Sequence, residues 1–133
     1  MKTFFVGVKG VLVSEGKVLI LKGGTGRDFW EVPGGRIDDN ESLHQTLIRE
    51  LNEELPNIQN IEIGEVLDAF RVHKDIDGEV SLTLIFFKVK ADFKGDPQIY
   101  DEHVEWKWSD EEEALNLVQE SCKKAIKTAF ISV

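Results

Sequence analysis

The sequence predicts an α/β sandwich built on a mixed β-sheet, and three observations lead there. Strand-like runs rich in Val, Leu, Ile and Phe open the chain and recur through its middle. One strongly amphipathic helix, over 41–55, is inserted early among them, and helical stretches return near the C-terminal end. Strands interrupted by one helix and followed by others bury their apolar sides best as a sheet covered on both faces.

The elements follow in order. A strand is expected around 3–13, a turn at Ser14-Glu15-Gly16, and a second strand over 17–22. Gly23-Gly24-Thr25-Gly26 reads as a glycine-rich loop, and Phe29-Trp30-Glu31-Val32 as a short strand closed by Pro33. From Glu41 to Leu55 the leucines at 43, 47, 51 and 55 recur every four residues, which gives a helix one apolar stripe. Pro56 should end it. Strands over 58–74 and 79–91 are joined by Asp75-Ile76-Asp77-Gly78, where Asp77-Gly78 suits a hairpin turn. Residues 92–101 read as loop. Val104, Trp106 and Trp108 then alternate with His103, Glu105 and Lys107, as in a half-buried strand with the tryptophans in the core. Ser109 and Glu112 have capping-box spacing, so a helix should start there, and another should run from about Gln119 to Phe130.

The 133 residues are one domain's worth, expected to span 1–133 without repeat or linker. With 41% hydrophobic and 31% charged residues the composition is that of a folded chain rather than a disordered one. Cys122 has no cysteine partner in the sequence, which removes a disulfide scaffold, and it reads as a small packing residue. Sixteen basic residues against 25 acidic ones give a net charge of −9. That argues against nucleic acid and against anionic membrane as partners, both of which need a basic surface. It leaves phosphorylated small molecules open, because a metal held by carboxylates reverses the local sign. Lys9 breaks the first apolar run before it reaches the length of a secretory core, and a cytoplasmic location is expected.

The stretch that carries chemistry runs from Gly34-Gly35 to Arg49-Glu50-Leu51-Asn52-Glu53-Glu54. At ~100° per helical residue the three glutamates fall within an arc of about 100°, beside the leucine stripe. Like charges at this spacing repel and weaken a helix. A solvated acidic face is the ordinary explanation of such a cluster. Here two glycines precede the helix and can expose a backbone carbonyl, and Arg49 lies one turn before Glu53, where it can fix that side chain. Together these features suit a hard, oxygen-ligated cation such as Mg²⁺ or Mn²⁺.

Residues 35–57 resemble the signature of the Nudix hydrolases, G-x5-E-x7-R-E-U-x-E-E-x-G-U, where U is a bulky aliphatic residue. Gly35, Glu41, Arg49, Glu50, Leu51, Glu53 and Glu54 match it, and the lead-in Trp30-Glu31-Val32-Pro33-Gly34 extends the likeness. Pro56 stands where the pattern has glycine, and Asn57 where it has an aliphatic residue. Proline cannot adopt the left-handed exit that glycine provides, so the chain must leave the helix by another path. The resemblance implies a Nudix-type α/β/α sandwich and hydrolysis of a diphosphate linkage by water. It implies Mg²⁺, with Mn²⁺ as a substitute, ligated by Glu50, Glu53, Glu54 and the Gly34 carbonyl. Gly35, Glu41 and Arg49 would orient these ligands, and Glu50 could also act as the base.

Several relatives take the base from a loop outside the signature, and Glu102, just before the tryptophan-bearing strand, is the residue placed for it here, ahead of Glu105. Arg27, Phe29 and Trp30 flank the glycine loop; the aromatics read either as core or as a base-stacking surface, and Arg27 as a phosphate-steering group. His44, His73 and His103 are not spaced as a metal set and receive no role. Between Asn57 and Gly95 there is neither the proline that often marks ADP-ribose hydrolases nor the tyrosine that often marks dinucleoside polyphosphate hydrolases. The extra N-terminal region of many nucleotide-sugar hydrolases is also not expected. The remaining MutT-like pattern implies nucleoside triphosphates, ordinary or oxidised, cleaved to monophosphate and pyrophosphate by a monomer or homodimer. Nucleoside diphosphate derivatives, and a sensor without turnover, are the alternatives.

Overall fold

A computed structural model of the chain describes residues 3–24, 28–38, 40–76 and 80–131. Strand β1 (Thr3–Ser14) is the centre of a seven-stranded mixed sheet. Its first ten residues pair in parallel with β6 (Val80–Phe93), which in turn pairs antiparallel with β5 (Ile58–Ile76). On its other edge β1 takes the short strand β4 (Gly34–Arg36), and its last two residues turn into β2 (Lys17–Gly23). Strand β2 carries β3 (Trp30–Glu31) on one side and β7 (His103–Ser109) on the other, both antiparallel.

The middle strands are apolar on both faces because both faces are covered. In the run Val18-Leu19-Ile20-Leu21 every side chain is buried, and alternate residues serve opposite layers. Leu19 and Leu21 meet α1 (Leu43–Glu54) through Leu47 and Leu51, whereas Val18 and Ile20 join the layer of α2 (Glu111–Leu117) and α3 (Glu120–Ile131). This is the α/β/α sandwich the sequence predicts. Leu47, Leu51 and Leu55 are fully buried, each contributing roughly 1.5–3 kcal/mol, while Leu43 packs at the margin. Cys122, 1% exposed, lies on the inner face of α3 with Ala125, Ile126 and Ala129.

Local differences from the expected elements have identifiable causes. The first helix begins two residues later than its periodicity suggests, because Ser42 caps it. The Ser42 hydroxyl accepts from the Gln45 amide and the Gln45 side chain accepts from the Ser42 amide, a complete capping box. At α2 the cap is Asp110 rather than Ser109: the Asp110 carboxylate accepts from the Glu113 amide at 2.8 Å, while Ser109 is buried at the end of β7. The face assignment of β7 also needs correction at its start. His103 is buried and Val104 is 59% exposed, because the pairing with β2 slips between Lys22 and Gly23 and resets the alternation. Trp106 and Trp108 are half-buried against the α1 layer. The double glycine before the helix forms strand β4. Asp77-Gly78 lies outside the described residues.

The two departures from the family pattern have a structural account. Leu55 ends the helix with φ −127° and ψ 77°, so no left-handed residue is needed before Pro56. Asn57 then ties the helix exit to the loop after β6: its side-chain amide donates to the Asp96 carbonyl and its oxygen accepts from the Gln98 amide, both at 2.9 Å. An aliphatic residue would lose both bonds. Asn57→Leu is therefore expected to lower stability by about 1–2 kcal/mol, read as a reduced urea midpoint with an unchanged m-value.

Candidate active site

Helix α1 lies across β4 and brings its acidic residues to the double glycine. The Gly34 amide donates to Glu54 Oε2 at 2.9 Å. Gly34 has φ +154°, and a Cβ there would sit 2.0 Å from the Val8 carbonyl oxygen. A Cβ on Gly35 would come within 2.5 Å of the Glu50 carboxylate. The sharp approach that glycine permits therefore serves two different neighbours: backbone at Gly34, the Glu50 carboxylate at Gly35.

Arg49 gathers the acids around itself. Its guanidinium grips Glu41 in a two-pronged pair at 2.8 and 2.9 Å, and reaches Glu50 at 3.1 Å and Glu53 at 3.4 Å. Thr46 also donates to Glu41. The bond from Arg49 lowers the Glu41 pKa, and Glu41 and Glu50 hold that of Arg49 above its ordinary value. Glu53 is the most exposed of the three helix glutamates and Glu54 the most buried.

Glu50, Glu53, Glu54, Asp101 and Glu102 line one cavity of about 310 Å³ together with His103 and Tyr100. A larger cleft of about 790 Å³ shares Glu50, Glu54 and Glu102 and continues along an apolar wall of Phe29, Phe70, Val72 and Leu82. Gln119, Glu120 and Ser121 at the head of α3 face this wall, and Lys9 and Arg36 are cations of its lining. Trp30 is not on that lining: it is half-buried against the α3 layer, and its carbonyl accepts from the Gln119 amide. Glu105 is exposed beside Lys22. Arg27 lies outside the described residues.

The electrostatics mark where charge is expensive. Burial pushes the Glu54 carboxyl up to about 7, although Lys9, His103 and the Gly34 amide pull it down. Burial also raises Glu50, aided by the negative charges of Glu53 and Glu102 and opposed by Arg49. Among the described residues, no three carboxylate, imidazole or thiol groups form a ready-made coordination shell, since Glu50 and Glu53 turn toward Arg49. The donor chemistry still fits a hard divalent cation. The acids are oxygen donors in one cavity, and a positive charge there would offset both the burial of Glu54 and the repulsion on Glu50.

Three polar residues without a role on sequence grounds stand at this site. Glu31, Lys9 and His103 are joined in one buried line: Lys9 Nζ donates to Glu31 Oε1 at 2.9 Å and His103 Nε2 lies 3.1 Å from Glu31 Oε2. Burial opposes the Glu31 charge, but His103 and Lys9 more than offset it and hold its pKa at about 2. Lys9 in turn is held above its ordinary value by Glu31 and Glu54 despite its burial. The available signal was Lys9 inside the otherwise apolar run of β1 and Glu31 between Trp30 and Val32, while His103 opens a strand that also carries Glu105 and Lys107. It is a weak one, because strand edges also carry charges.

An α/β/α sandwich with buried acids beside a double-glycine strand defines the class, and comparison with known proteins makes it specific. The NUDIX domain pattern matches residues 3–129. The CTP pyrophosphohydrolase of Escherichia coli (strain K12) is 33% identical over 113 residues, which cover 81% of this chain and 77% of that protein. An 8-oxo-dGTP diphosphatase of Proteus vulgaris is 59% identical over 27 residues, 20% of this chain and 24% of that protein's length. The solution structure of the E. coli ORF135 protein aligns with a TM-score of 0.80 and 27% identity, over 98% of this chain and 91% of that one. The chain belongs to the Nudix family. Among the described residues no helix is long and apolar enough to cross a membrane.

Two outcomes follow for the protein without metal. Gly34→Ala should cost ~2 kcal/mol or more, because backbone must move, whereas Gly35→Ala displaces the tip of one side chain and should melt close to wild type. Circular-dichroism melts separate the two. The second concerns pH. Glu54 has a folded pKa above its usual 4.5, so its contribution to stability is fullest below 4.5 and is lost as pH rises through about 7. Glu54→Gln should remove that part of the slope. The wild-type-minus-variant difference in unfolding free energy is expected to fall between pH 4.5 and 7, and a flat difference would contradict the burial of this carboxyl.

Proposed function

We propose that this chain is a Mg²⁺-dependent diphosphohydrolase acting on nucleoside triphosphates, ordinary or oxidised, with monophosphate and pyrophosphate as products. The observation that carries the reading is the continuity of the two cavities: five carboxylates at one end, an apolar and aromatic wall at the other. A nucleotide has the same two-part chemistry, a polyanion joined to a flat base, and pockets hold such ligands with an apolar body and a few convergent polar groups. The names of the relatives, a CTP pyrophosphohydrolase and an 8-oxo-dGTP diphosphatase, support this substrate class.

Glu50, Glu53, Glu54 and the Gly34 carbonyl would hold the cation, which when bound supplies charge neutralisation and a lowered pKa for water. Arg49 and Glu41 brace the helix side of the cavity and keep Glu50 oriented through the guanidinium. Water adds to one phosphorus of the bond between the α- and β-phosphates, the bridging P–O bond breaks, and the nucleoside monophosphate or pyrophosphate on its other side departs with the bond's electron pair. Glu50 or Glu102 accepts the proton of the attacking water, since both line the cavity and the Glu102 charge adds to the burial that raises the Glu50 pKa. Phe29 and the wall of Phe70, Val72 and Leu82 receive the base.

Glu53→Gln should abolish Mg²⁺-dependent turnover with little change in thermal midpoint, because Glu53 is exposed and its loss relieves repulsion. Glu50→Gln should lower kcat by a factor of ~10² or more with a smaller change in KM. Near-normal turnover by Glu53→Gln would refute the metal assignment. For substrate, dGTP, 8-oxo-dGTP, CTP, ADP-ribose and a dinucleoside tetraphosphate are compared with Mg²⁺ and with EDTA. A triphosphate should have the highest kcat/KM, and a ~100-fold preference for ADP-ribose would overturn the substrate while preserving the reaction class.

A further inference from the structure

The line His103–Glu31–Lys9 is more than packing. The His103 side chain is 2% exposed, that of Glu31 8% and that of Lys9 14%. His103 Nδ1 is buried without a hydrogen-bond partner among the described residues. Buried ion pairs and unpaired polar atoms return little net stability compared with apolar side chains of similar volume. Three such groups in the interior call for a use other than holding the fold.

What the line connects indicates that use. His103 directly follows Glu102, and opens β7 where the chain emerges from the 94–102 loop. Besides the anchor of His103, the Gly24 amide donates to the Glu102 carbonyl and the His103 amide to the Tyr100 carbonyl, and Asn57 holds the start of the loop at Asp96 and Gln98. At the other end, Lys9 is the ladder partner of Gly34, whose amide holds Glu54. The line therefore runs from the loop carboxylate on one wall of the smaller cavity to the helix carboxylates on the other.

We propose that Lys9, Glu31 and His103 are positioning residues that set the separation between Glu102 and the Glu50–Glu54 pair. This rests on the reading of those carboxylates as the metal- and water-handling groups. Lys9 and Glu31 line the larger cleft and His103 the smaller cavity, and the line acts by placing Glu102. Fixed outer partners of this kind typically change metal affinity or activity by ~10–100-fold when removed.

The test uses the full chain and the variants His103→Phe, His103→Gln and Glu31→Asp, each alone and combined with Glu102→Gln. Three quantities are measured: kcat and KM on the best triphosphate, Mn²⁺ affinity by electron paramagnetic resonance without substrate, and thermal midpoint. His103→Phe fills the space without a hydrogen bond and should lower kcat ~10-fold or more and weaken Mn²⁺ binding, with KM within ~3-fold. His103→Gln keeps a donor for Glu31 and should recover most of both. On the Glu102→Gln background His103→Phe should add little. If His103→Phe does not fold, Glu31→Asp, which keeps the charge and shortens the reach, carries the same cycle with the same expected losses. A lower thermal midpoint with kcat and Mn²⁺ affinity near wild type would overturn the proposal, as would undiminished losses on the Glu102→Gln background. Failure of all three variants to fold would also overturn it, since the line would then hold the fold itself. Should the wild type turn over no nucleotide, the functional reading fails, and the Mn²⁺ cycle alone still decides whether the line positions the carboxylates.

Discussion

Between the backbone of β1 and the side chains of α1 there is room for a strand without Cβ atoms at two successive positions, and Gly34-Gly35 fills it. From this close approach the rest follows. It lets the Gly34 amide reach Glu54, and it lets the Glu50 carboxylate lie against the strand. It also draws the helix down so that Leu47 and Leu51 enter the core beside Leu19 and Leu21. The acids are thereby carried to the margin of the apolar layer, where burying charge is costly unless something compensates it. Tight packing and electrostatic tension occupy the same few cubic ångströms.

The arrangement also divides labour between the two faces of the sheet. The α1 face supplies carboxylates and the arginine that orders them. The opposite face supplies the apolar wall of Phe70, Val72 and Leu82, with the head of α3 across from it. Strand β1 contributes to both through its alternation, Val8 and Leu12 on one side and Val11 on the other. A cleft at the junction of the two layers inherits polar chemistry from one and shape from the other.

Much of this was legible in the sequence, for physical reasons particular to each element. The four-residue leucine repeat and Pro56 marked the first helix within two residues at its start and one at its end, because periodicity and proline act locally. The acidic cluster, Arg49 and the double glycine stood out because they contradict what a purely structural helix would choose. What sequence reasoning missed depends on contacts distant along the chain. Glu31 meets Lys9 across 22 positions and His103 across 72, and neither spacing leaves a periodic trace. The inward turn of His103 comes from a slip in strand pairing, which alternation read along a single strand does not contain. Asn57, a departure from the family pattern, acquires its sense only beside Asp96 and Gln98.

One side chain gives the folded state a built-in sentinel. Cys122 is the sole cysteine of the chain, lies on the inner face of α3, and has its pKa raised by burial. A thiol so placed is shielded and poorly ionised, and it is the thiolate that reacts. Alkylation by a small reagent must therefore wait for α3 to lift from the sheet, and its rate counts those openings. The chain thus carries its own clock for excursions out of the native state, with no label to be engineered and no second thiol to confuse the reading.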